Sequence, residues 1–402
     1  MNLFSKRVFL DYAATTQEDS HVLRAMKPFF TSRFANPLSY YQEGLNASVA
    51  LEKARQDVAT LVGVKDTEVI FTGSGTESDN LALSGVLAGI AKDDSHLFEM
   101  WKGKVPHIVT TEVEHPAILE TAKELEKSGR ATVTFLPVQE NGAVNTSHIQ
   151  NVLNENTLIV SVMYVNNEIG SINSLRDVAR EVKKFKNKIG RRQDEAPYIH
   201  TDASQAPCFL DVHMDRLGVD MMTLDGSKIY GPKGVGCVFI KSGTDIKPII
   251  FGGGQEKGLR SGTENISSIA GFTLALEIAD KKRDAESKRL KTIRDYAIEK
   301  ILGAFQNVTL NGSIKHRLPN NVNVCFKGLD AEFATIQLDI LGFAVSYSSS
   351  CLTLKDDLSS YVIRALGKTE DCSKSSLRFT FGRDTKKTDI DKLVLALKKV
   401  VK

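Results

Sequence analysis

The sequence predicts a protein of the α/β class, in which a large domain with a mostly parallel sheet flanked by helices is joined to a smaller α+β domain. First, the 402 residues exceed what one hydrophobic core usually accommodates. Second, short apolar runs alternate with helical patterns as far as residue 240, which is typical of parallel strands. Third, the pattern changes near residue 265 to long helices and then short strands.

Seven apolar runs in the first part are predicted to be strands of one sheet. Their near-continuous hydrophobicity is typical of a sheet covered on both faces. The runs span residues 68–72, 107–111, 133–138, 158–165, 198–203, 221–225 and 234–240. Before them, the stretch 46–63 has helical spacing, with one apolar face formed by Val49, Ala50, Ala54, Val58 and Leu61.

The second part is predicted to begin with two helical runs, at 266–280 and 282–305. Short strands at 320–326 and 376–382 follow, with helices between them and a last helix at the end of the chain. This mixture indicates the smaller α+β domain.

Composition and charge exclude several classes of protein. A formal net charge of +3 argues against a nucleic-acid binder, and the basic run 180–192 is interpreted as a solvated helix face. No apolar run is long enough for a membrane span, and no signal peptide is expected. Five scattered cysteines without a CxxC pair predict a reducing, cytoplasmic location without disulfides, and the histidine spacing predicts no metal site.

Polar residues follow five of the predicted strands, where the carboxyl ends of parallel strands form one edge of a sheet. Ligands of open α/β sheets bind at that edge. Each residue also has an ordinary interpretation as a turn or helix cap. The residues are Gly73, Gly75 and Thr76, then His115, then Asn166 and Asn167, then Asp202, and finally Lys228 within "DGSKIYGPKG" (225–234).

Together these residues offer a phosphate cup at a helix start, an imidazole, an amide, a carboxylate and a lysine. A cofactor with a phosphate, an aromatic ring, a ring nitrogen and an aldehyde would use all five. Pyridoxal 5′-phosphate (PLP) is such a cofactor, since lysine forms a Schiff base with it and an acid pairs with its ring nitrogen.

The motifs that carry these residues resemble those of cysteine desulfurases, within the PLP-dependent class V aminotransferase superfamily. They are "LDYAATT" (10–16), "FTGSGTESDNLAL" (71–83), "TEVEHPAILE" (111–120), "VNNEIG" (165–170), "HTDASQ" (200–205), "KIYGPKGVG" (228–236), "GGGQEKGLRSGT" (252–263), "YVIRALG" (361–367) and "SLRFTFGR" (376–383). The resemblance implies PLP-dependent transferase fold type I. It places residues 17–275 in the large PLP-binding domain, and 1–16 with 276–402 in the small one. It also implies a homodimer with a shared active site.

The resemblance implies a role for each cofactor-binding residue. Gly75 and Thr76 hold the phosphate, and Thr263 reaches it from the partner subunit. His115 stacks on the ring and takes part in catalysis. Asp202 pairs with the ring nitrogen, and Gln205 hydrogen-bonds the phenolic oxygen.

The resemblance also assigns substrate binding and catalysis. Lys228 carries PLP and later moves the proton at the substrate Cα. Asn167 and Arg378 hold the substrate carboxylate, for which arginine suits bidentate binding.

Cys351, in the polar stretch "SYSSSCLTLKDD" (346–357), matches the family's nucleophilic cysteine. Cys237 and Cys325 lie in apolar strands and are expected to be buried and inert. Cys208 is expected in or near the core, and Cys372 is expected to be exposed between acidic neighbours that disfavour a thiolate.

The implied reaction converts L-cysteine to L-alanine and leaves a persulfide on Cys351. The long loop around Cys351 resembles the group that passes sulfur to an iron–sulfur scaffold or a tRNA-thiolation protein. Two alternatives remain at this point. One is another class V PLP enzyme, a selenocysteine lyase or an aminotransferase. The other is a non-catalytic homologue that acts as a partner protein.

The chain departs from the family at the phosphate end. Asp225 stands where a hydroxyl is expected, and Ser227 stands where histidine is common. An ionised carboxylate about 4 Å from a phosphate charge would cost roughly 4 kcal/mol at an effective dielectric near 20. We therefore expect Asp225 to turn away and pair with a cation or amides, while Ser227 supplies the hydroxyl. The alternative is that PLP is held weakly.

Overall fold

A computed structural model describes residues 7–90, 96–347 and 359–401. Its strands are β1 Val8–Phe9, β2 Val69–Thr72, β3 His107–Thr111, β4 Thr132–Leu136, β5 Thr157–Ser161, β6 Tyr198–Asp202, β7 Met221–Asp225, β8 Gly236–Ile240, β9 Val308–Leu310, β10 Asn321–Phe326, β11 Phe343–Ala344 and β12 Ser376–Thr380.

The described helices separate these strands. They are α1 Ser20–Met26, α2 Pro28–Thr31, α3 Gln42–Val62, α4 Gly75–Ile90, α5 His96–Trp101, α6 Pro116–Lys127, α7 Thr146–Val152, α8 Leu175–Lys188, α9 Met214–Leu217, α10 Ile266–Ala304, α11 Ala331–Ile340, α12 Tyr361–Ala365, α13 Glu370–Lys374 and α14 Lys387–Val400. Short 3-10 turns lie at Asp66–Glu68, Gly226–Lys228 and Glu256–Gly258.

A seven-stranded sheet in the order β2-β8-β7-β6-β5-β3-β4 forms the centre of the molecule. Neighbouring strands pair in parallel except at β8, which is antiparallel to both of its neighbours. Successive strand residues enter separate cores on the two faces, as Val109 does on one face and Ile108 on the other. The predicted mostly parallel α/β sheet, covered by helices on both faces, is confirmed.

Two smaller sheets complete the fold. Strands β12, β10 and β9 form an antiparallel sheet, and β1 pairs in parallel with β11. Their core combines Leu10 with the second half of α10 and with α14. The smaller α+β unit therefore includes residues from both ends of the described chain.

The helical runs expected at 266–280 and 282–305 form one helix, α10. No proline interrupts the charged stretch between them, so the helix continues through it. Ala279 packs in the core of the large sheet and Leu290 in that of the small sheets. The proposed domain boundary after residue 275 lies inside this helix, and the division into two domains remains a prediction.

The apolar face predicted for α3 is displaced. Ala47, Leu51 and Val62 are buried together with Ala54 and Val58, whereas Val49 is 70% exposed. The spacing identified the helix correctly, but an apolar side chain alone does not show which face meets the core.

Two of the cysteines form a disulfide that was not expected. Cys208, Cys237 and Cys325 are buried as predicted. Cys325 in β10 is, however, bonded to Cys372 in α13, with 2.11 Å between the sulfurs. The expectation of no disulfide is therefore wrong, and Cys372 carries no free thiol in this structure.

None of the helices in the described part of the chain combines the length and apolar character needed to cross a membrane. Within the same residues, no three histidine, cysteine, aspartate or glutamate side chains are grouped as metal ligands.

Candidate active site

One cavity of about 180 Å³ lies beyond the carboxyl ends of β3, β5, β6 and β7. It brings together eight of the residues predicted to act on cofactor or substrate. Its lining consists of Ala13, Ala14, Gly75, Thr76, Asp79, His115, Met163, Val165, Asn167, Asp202, Ser204, Gln205, Asp225, Lys228 and Arg378. The predicted residues that do not line it are Ser227 and Thr263, and Cys351 lies outside the described residues.

Lys228 ends the tight turn Gly226–Lys228 that follows β7. A Cβ atom on Gly226 would lie only 2.7 Å from the carbonyl oxygen of Pro232, so only glycine fits the close approach there. The Lys228 ammonium donates to the carbonyl of Ala14, which belongs to the N-terminal segment. The glycines around Lys228 thus allow the turn that delivers its amine to the cavity.

His115 is both a helix cap and a cavity residue. Its Nδ1 accepts a hydrogen bond from the amide of Ala117 over 3.2 Å at the start of α6. A ring whose Nδ1 accepts carries its proton on Nε2 when neutral. The cap therefore fixes the tautomer and the direction of the imidazole that lines the cavity.

Asp202 ends β6, and its Oδ1 accepts from the amide of Ser204 over 2.9 Å. Two further carboxyl groups, Asp79 and Glu114, are buried close to it. Burial, with the charge of Asp202 as a further contribution, holds the pKa of Asp79 well above its ordinary value. Burial likewise raises the pKa of Glu114 to about 8.

The Asp202 carboxylate thus lies near two buried acids that the sequence prediction did not include. Both lie inside motifs quoted for the resemblance, Asp79 in 71–83 and Glu114 in 111–120. Neither was distinguishable in sequence from a polar helix position or a turn residue, because their burial depends on how α4 and the loop after β3 pack.

Arg378 and Asn167 form another part of the cavity lining. Arg378 is only 1% exposed; its Nη1 donates to the carbonyl of Asn167 over 3.0 Å and its Nη2 to Asp11 over 2.7 Å. Among the described residues, Arg378 Nε and Asn167 Oδ1 are buried without a hydrogen-bond partner. A buried donor without a partner is costly, so a ligand oxygen at this wall would be stabilised.

The predicted phosphate-binding site at Gly75 and Thr76, the cup at the start of α4, has different hydrogen bonds from those expected. Asp225 does bind amides, but one of them belongs to the cup itself: Gly75 N donates to Asp225 Oδ2 over 2.9 Å. The other carboxylate oxygen accepts from both the amide and the hydroxyl of Ser227, at 2.8 and 2.5 Å. Ser227 therefore supports Asp225 in this structure, and its predicted contact with phosphate remains untested.

Gln205 and Thr263 also retain roles that the geometry does not test. Gln205 lines the cavity, where its Nε2 donates to the carbonyl of Ala13 over 2.9 Å. Thr263 is exposed and lies outside the cavity of its own chain.

Comparison with known families identifies the family to which this chain belongs. The model of the aminotransferase class-V family matches residues 8–393. The chain belongs to the aminotransferase class-V family. The resemblance inferred from the motifs is thereby confirmed, and with it PLP as the cofactor of this enzyme.

Individual relatives span nearly the whole chain. The cysteine desulfurase IscS of Dictyoglomus turgidum is 38% identical over 396 residues, covering 98% of this chain and 95% of that protein. A solved NifS-like protein superposes with a TM-score of 0.86 at 32% identity, with 98% of both chains covered. The structure of SspA in complex with cysteine gives a TM-score of 0.76 at 28% identity over 93% of this chain and 98% of that one.

Residues along most of the cavity lining suit the chemical groups of PLP. Lys228 would hold the aldehyde, Asp202 the ring nitrogen and His115 the ring face, all from one cavity edge. Among the described residues, Arg378 Nε is a buried donor without a partner that would suit a carboxylate oxygen, whereas the partnerless Asn167 Oδ1 is an acceptor that would suit a donor such as an amine. The phosphate end is the exception, because Asp225 already engages the Gly75 amide.

Proposed function

We propose that this enzyme is a PLP-dependent cysteine desulfurase, which removes sulfur from L-cysteine and releases L-alanine. The observation that carries the proposal is the arrangement of one cavity, with Lys228, His115 and Asp202 at one wall and Arg378 with Asn167 at another. Relatives covering nearly all of the chain are cysteine desulfurases by name, and SspA was solved with cysteine bound.

PLP, when bound, supplies an electron-accepting ring for the carbon skeleton of the substrate. Arg378 and Asn167 bind the substrate carboxylate and so orient its Cα. Lys228 takes up and returns the proton at that Cα as a general base and acid. Asp202 would hold the proton on the ring nitrogen, and the buried acids Asp79 and Glu114 lie close to Asp202.

We assign the sulfur chemistry to Cys351. Its thiolate attacks the sulfur of the substrate, an S–S bond forms, and the carbon–sulfur bond of the substrate breaks. The carbon skeleton then leaves as L-alanine, and the sulfur remains on Cys351 as a persulfide. A selenocysteine lyase or an aminotransferase would not need this cysteine, so the persulfide separates the proposal from those alternatives.

The described residues after Cys351 support this assignment. Ser360 Oγ donates to Glu168 over 2.6 Å, and the hydroxyl of Tyr361 donates to the carbonyl of Glu114 over 2.6 Å. Because Glu114 precedes His115, these bonds fasten the start of α12 beside the active-site cavity. The helix that follows Cys351 in the sequence is thus held beside the cavity.

A homodimer is the proposed state of the enzyme. Large apolar side chains are exposed on two stretches, the segment 30–49 and the loop before Glu256: Phe30, Phe34, Leu38, Tyr40, Tyr41, Leu45, Val49, Ile250 and Phe251. Exposed apolar clusters of this kind mark interaction surfaces. Arg55 of α3 holds that loop through two 2.8 Å bonds to buried Glu256.

The same loop continues to exposed Thr263, which in a dimer would complete the phosphate site of the partner. We further propose a cytoplasmic location and transfer of the Cys351 sulfur to an iron–sulfur scaffold or a tRNA-thiolation protein.

Borohydride reduction of the purified enzyme tests the cofactor chemistry. The full-length chain should carry the mass of PLP on Lys228 alone after digestion and mass spectrometry. Lys228→Ala should retain no covalent label and no turnover of L-cysteine, and Lys233→Ala, at an exposed lysine five positions after Lys228, provides a matched control. A label on another lysine would contradict the assignment.

A further inference from the structure

The donors at the start of α4 already bind carboxylates of the protein. Gly75 N donates to Asp225 Oδ2, and Gly73 N donates to Glu77 Oε2, both over 2.9 Å. Backbone amides at such a helix start are the groups that bind a phosphate. The chain therefore places its own anions on donors that the phosphate of PLP would use.

The two carboxylates differ in how their charge is compensated. Glu77 accepts a 2.8 Å bond from Nε of Arg260 and forms an ion pair with it. Asp225 is held by neutral donors, Gly75 N and the amide and hydroxyl of Ser227. No ion pair found among the described residues includes Asp225, since Lys228 donates to Ala14 instead. In the described part of the chain, only neutral donors therefore offset the negative charge at Asp225.

Asp225 lies next to the backbone amide that would bind the phosphate. A Cβ atom placed on Gly75 would lie 3.2 Å from both Cβ and Oδ2 of Asp225. Asp225 also lines the same cavity as Thr76 and Lys228. Any phosphate that uses the Gly75 amide must therefore displace this carboxylate or lie directly against it.

We propose that Asp225 determines cofactor affinity: its carboxylate competes with the phosphate of PLP for the Gly75 amide and repels it. The enzyme consequently discriminates weakly between PLP and pyridoxal, which lacks the phosphate. Ser227 serves as the positioning residue that holds Asp225 in the cup. This proposal rests on PLP as cofactor but not on the sulfur chemistry.

Equilibrium dialysis of the full-length chain, stripped of cofactor, tests the proposal with PLP and pyridoxal as separate probes. Asp225→Asn should tighten binding of PLP at least tenfold, which corresponds to about 1.4 kcal/mol. Binding of pyridoxal should change less than threefold. Asp225→Ser removes the charge and supplies a hydroxyl donor, so it should tighten binding of PLP by at least as much. With two variants, the test still stands if one of them misfolds.

Glu112→Gln is the matched control, because Glu112 is an exposed carboxylate at the same sheet edge but outside the cavity. It should leave both affinities unchanged. PLP affinity that rises less than tenfold or falls in both Asp225 variants overturns the proposal. Equal tightening of PLP and pyridoxal also overturns it, since the effect would not then involve the phosphate. If PLP were not the cofactor at all, the wild-type chain would bind neither probe, and this result is distinct from a failure of the proposal about Asp225.

Discussion

Glu114 lies fully buried next to His115, and only one of its oxygens has strong donors. Glu114 Oε1 accepts from the amide of Met163 and the hydroxyl of Thr111, both over 2.8 Å. Among the described residues, Oε2 is buried without a partner. Burial disfavours the charged form and raises the pKa from an ordinary value of 4.5 to about 8, and nearby Asp202 acts in the same direction. Glu114 is therefore a neutral acid over much of the physiological range.

Glu114→Gln should flatten the pH dependence of stability. The wild-type carboxyl keeps its proton in the folded state up to about pH 8 but loses it near 4.5 when unfolded. Its contribution is therefore fully present at low pH and declines as pH rises through this window. Urea unfolding at pH 5.5 and 7.5 should show wild type losing roughly 1.4 kcal/mol per pH unit relative to the variant. Parallel stability curves for the two proteins would contradict this assignment.

At the scale of elements, the strands were predictable because their apolar runs are nearly continuous. All seven strands of the large sheet occur where those runs predicted them, although β5 ends at Ser161 and not at 165. The polar residues after β6 and β7 could be brought to one edge by topology alone, since parallel strands end together. Fold, cavity edge and the positions of Lys228 and Asp202 follow from that pattern.

Features that depend on packing across the molecule were not predictable in this way. The buried face of α3 was assigned wrongly because Val49 lies on the outer side. The Cys325–Cys372 bond joins residues 47 positions apart, and neither local sequence indicates the contact. Asp225 was expected to leave the cup, yet Gly75 is the donor close enough to bind it. Each of these features depends on how elements pack against one another, and the sequence does not give the distances between them.

At the scale of the whole molecule, the exposed apolar surface on 30–49 and 250–251 predicts self-association. Phe251 is 83% exposed on the loop that leads to Thr263. Phe251→Asp should therefore shift the chain from dimer to monomer in sedimentation velocity and reduce PLP retention. Phe333→Asp is the control, since Phe333 is 56% exposed on α11, away from that surface. A wild-type monomer, or equal effects of both substitutions, would contradict the proposed interface.

Incubation of the purified enzyme with L-cysteine tests the proposed sulfur chemistry most directly, if L-alanine and protein-bound persulfide are measured in the same sample. Wild type should release alanine and carry one additional sulfur on Cys351, detected by mass spectrometry after alkylation. Cys351→Ala should keep the absorption of bound PLP but form neither the persulfide nor alanine at the wild-type rate, whereas Cys208→Ala should behave as wild type. Undiminished alanine release by Cys351→Ala would show that Cys351 is not the nucleophile and would contradict the proposed mechanism.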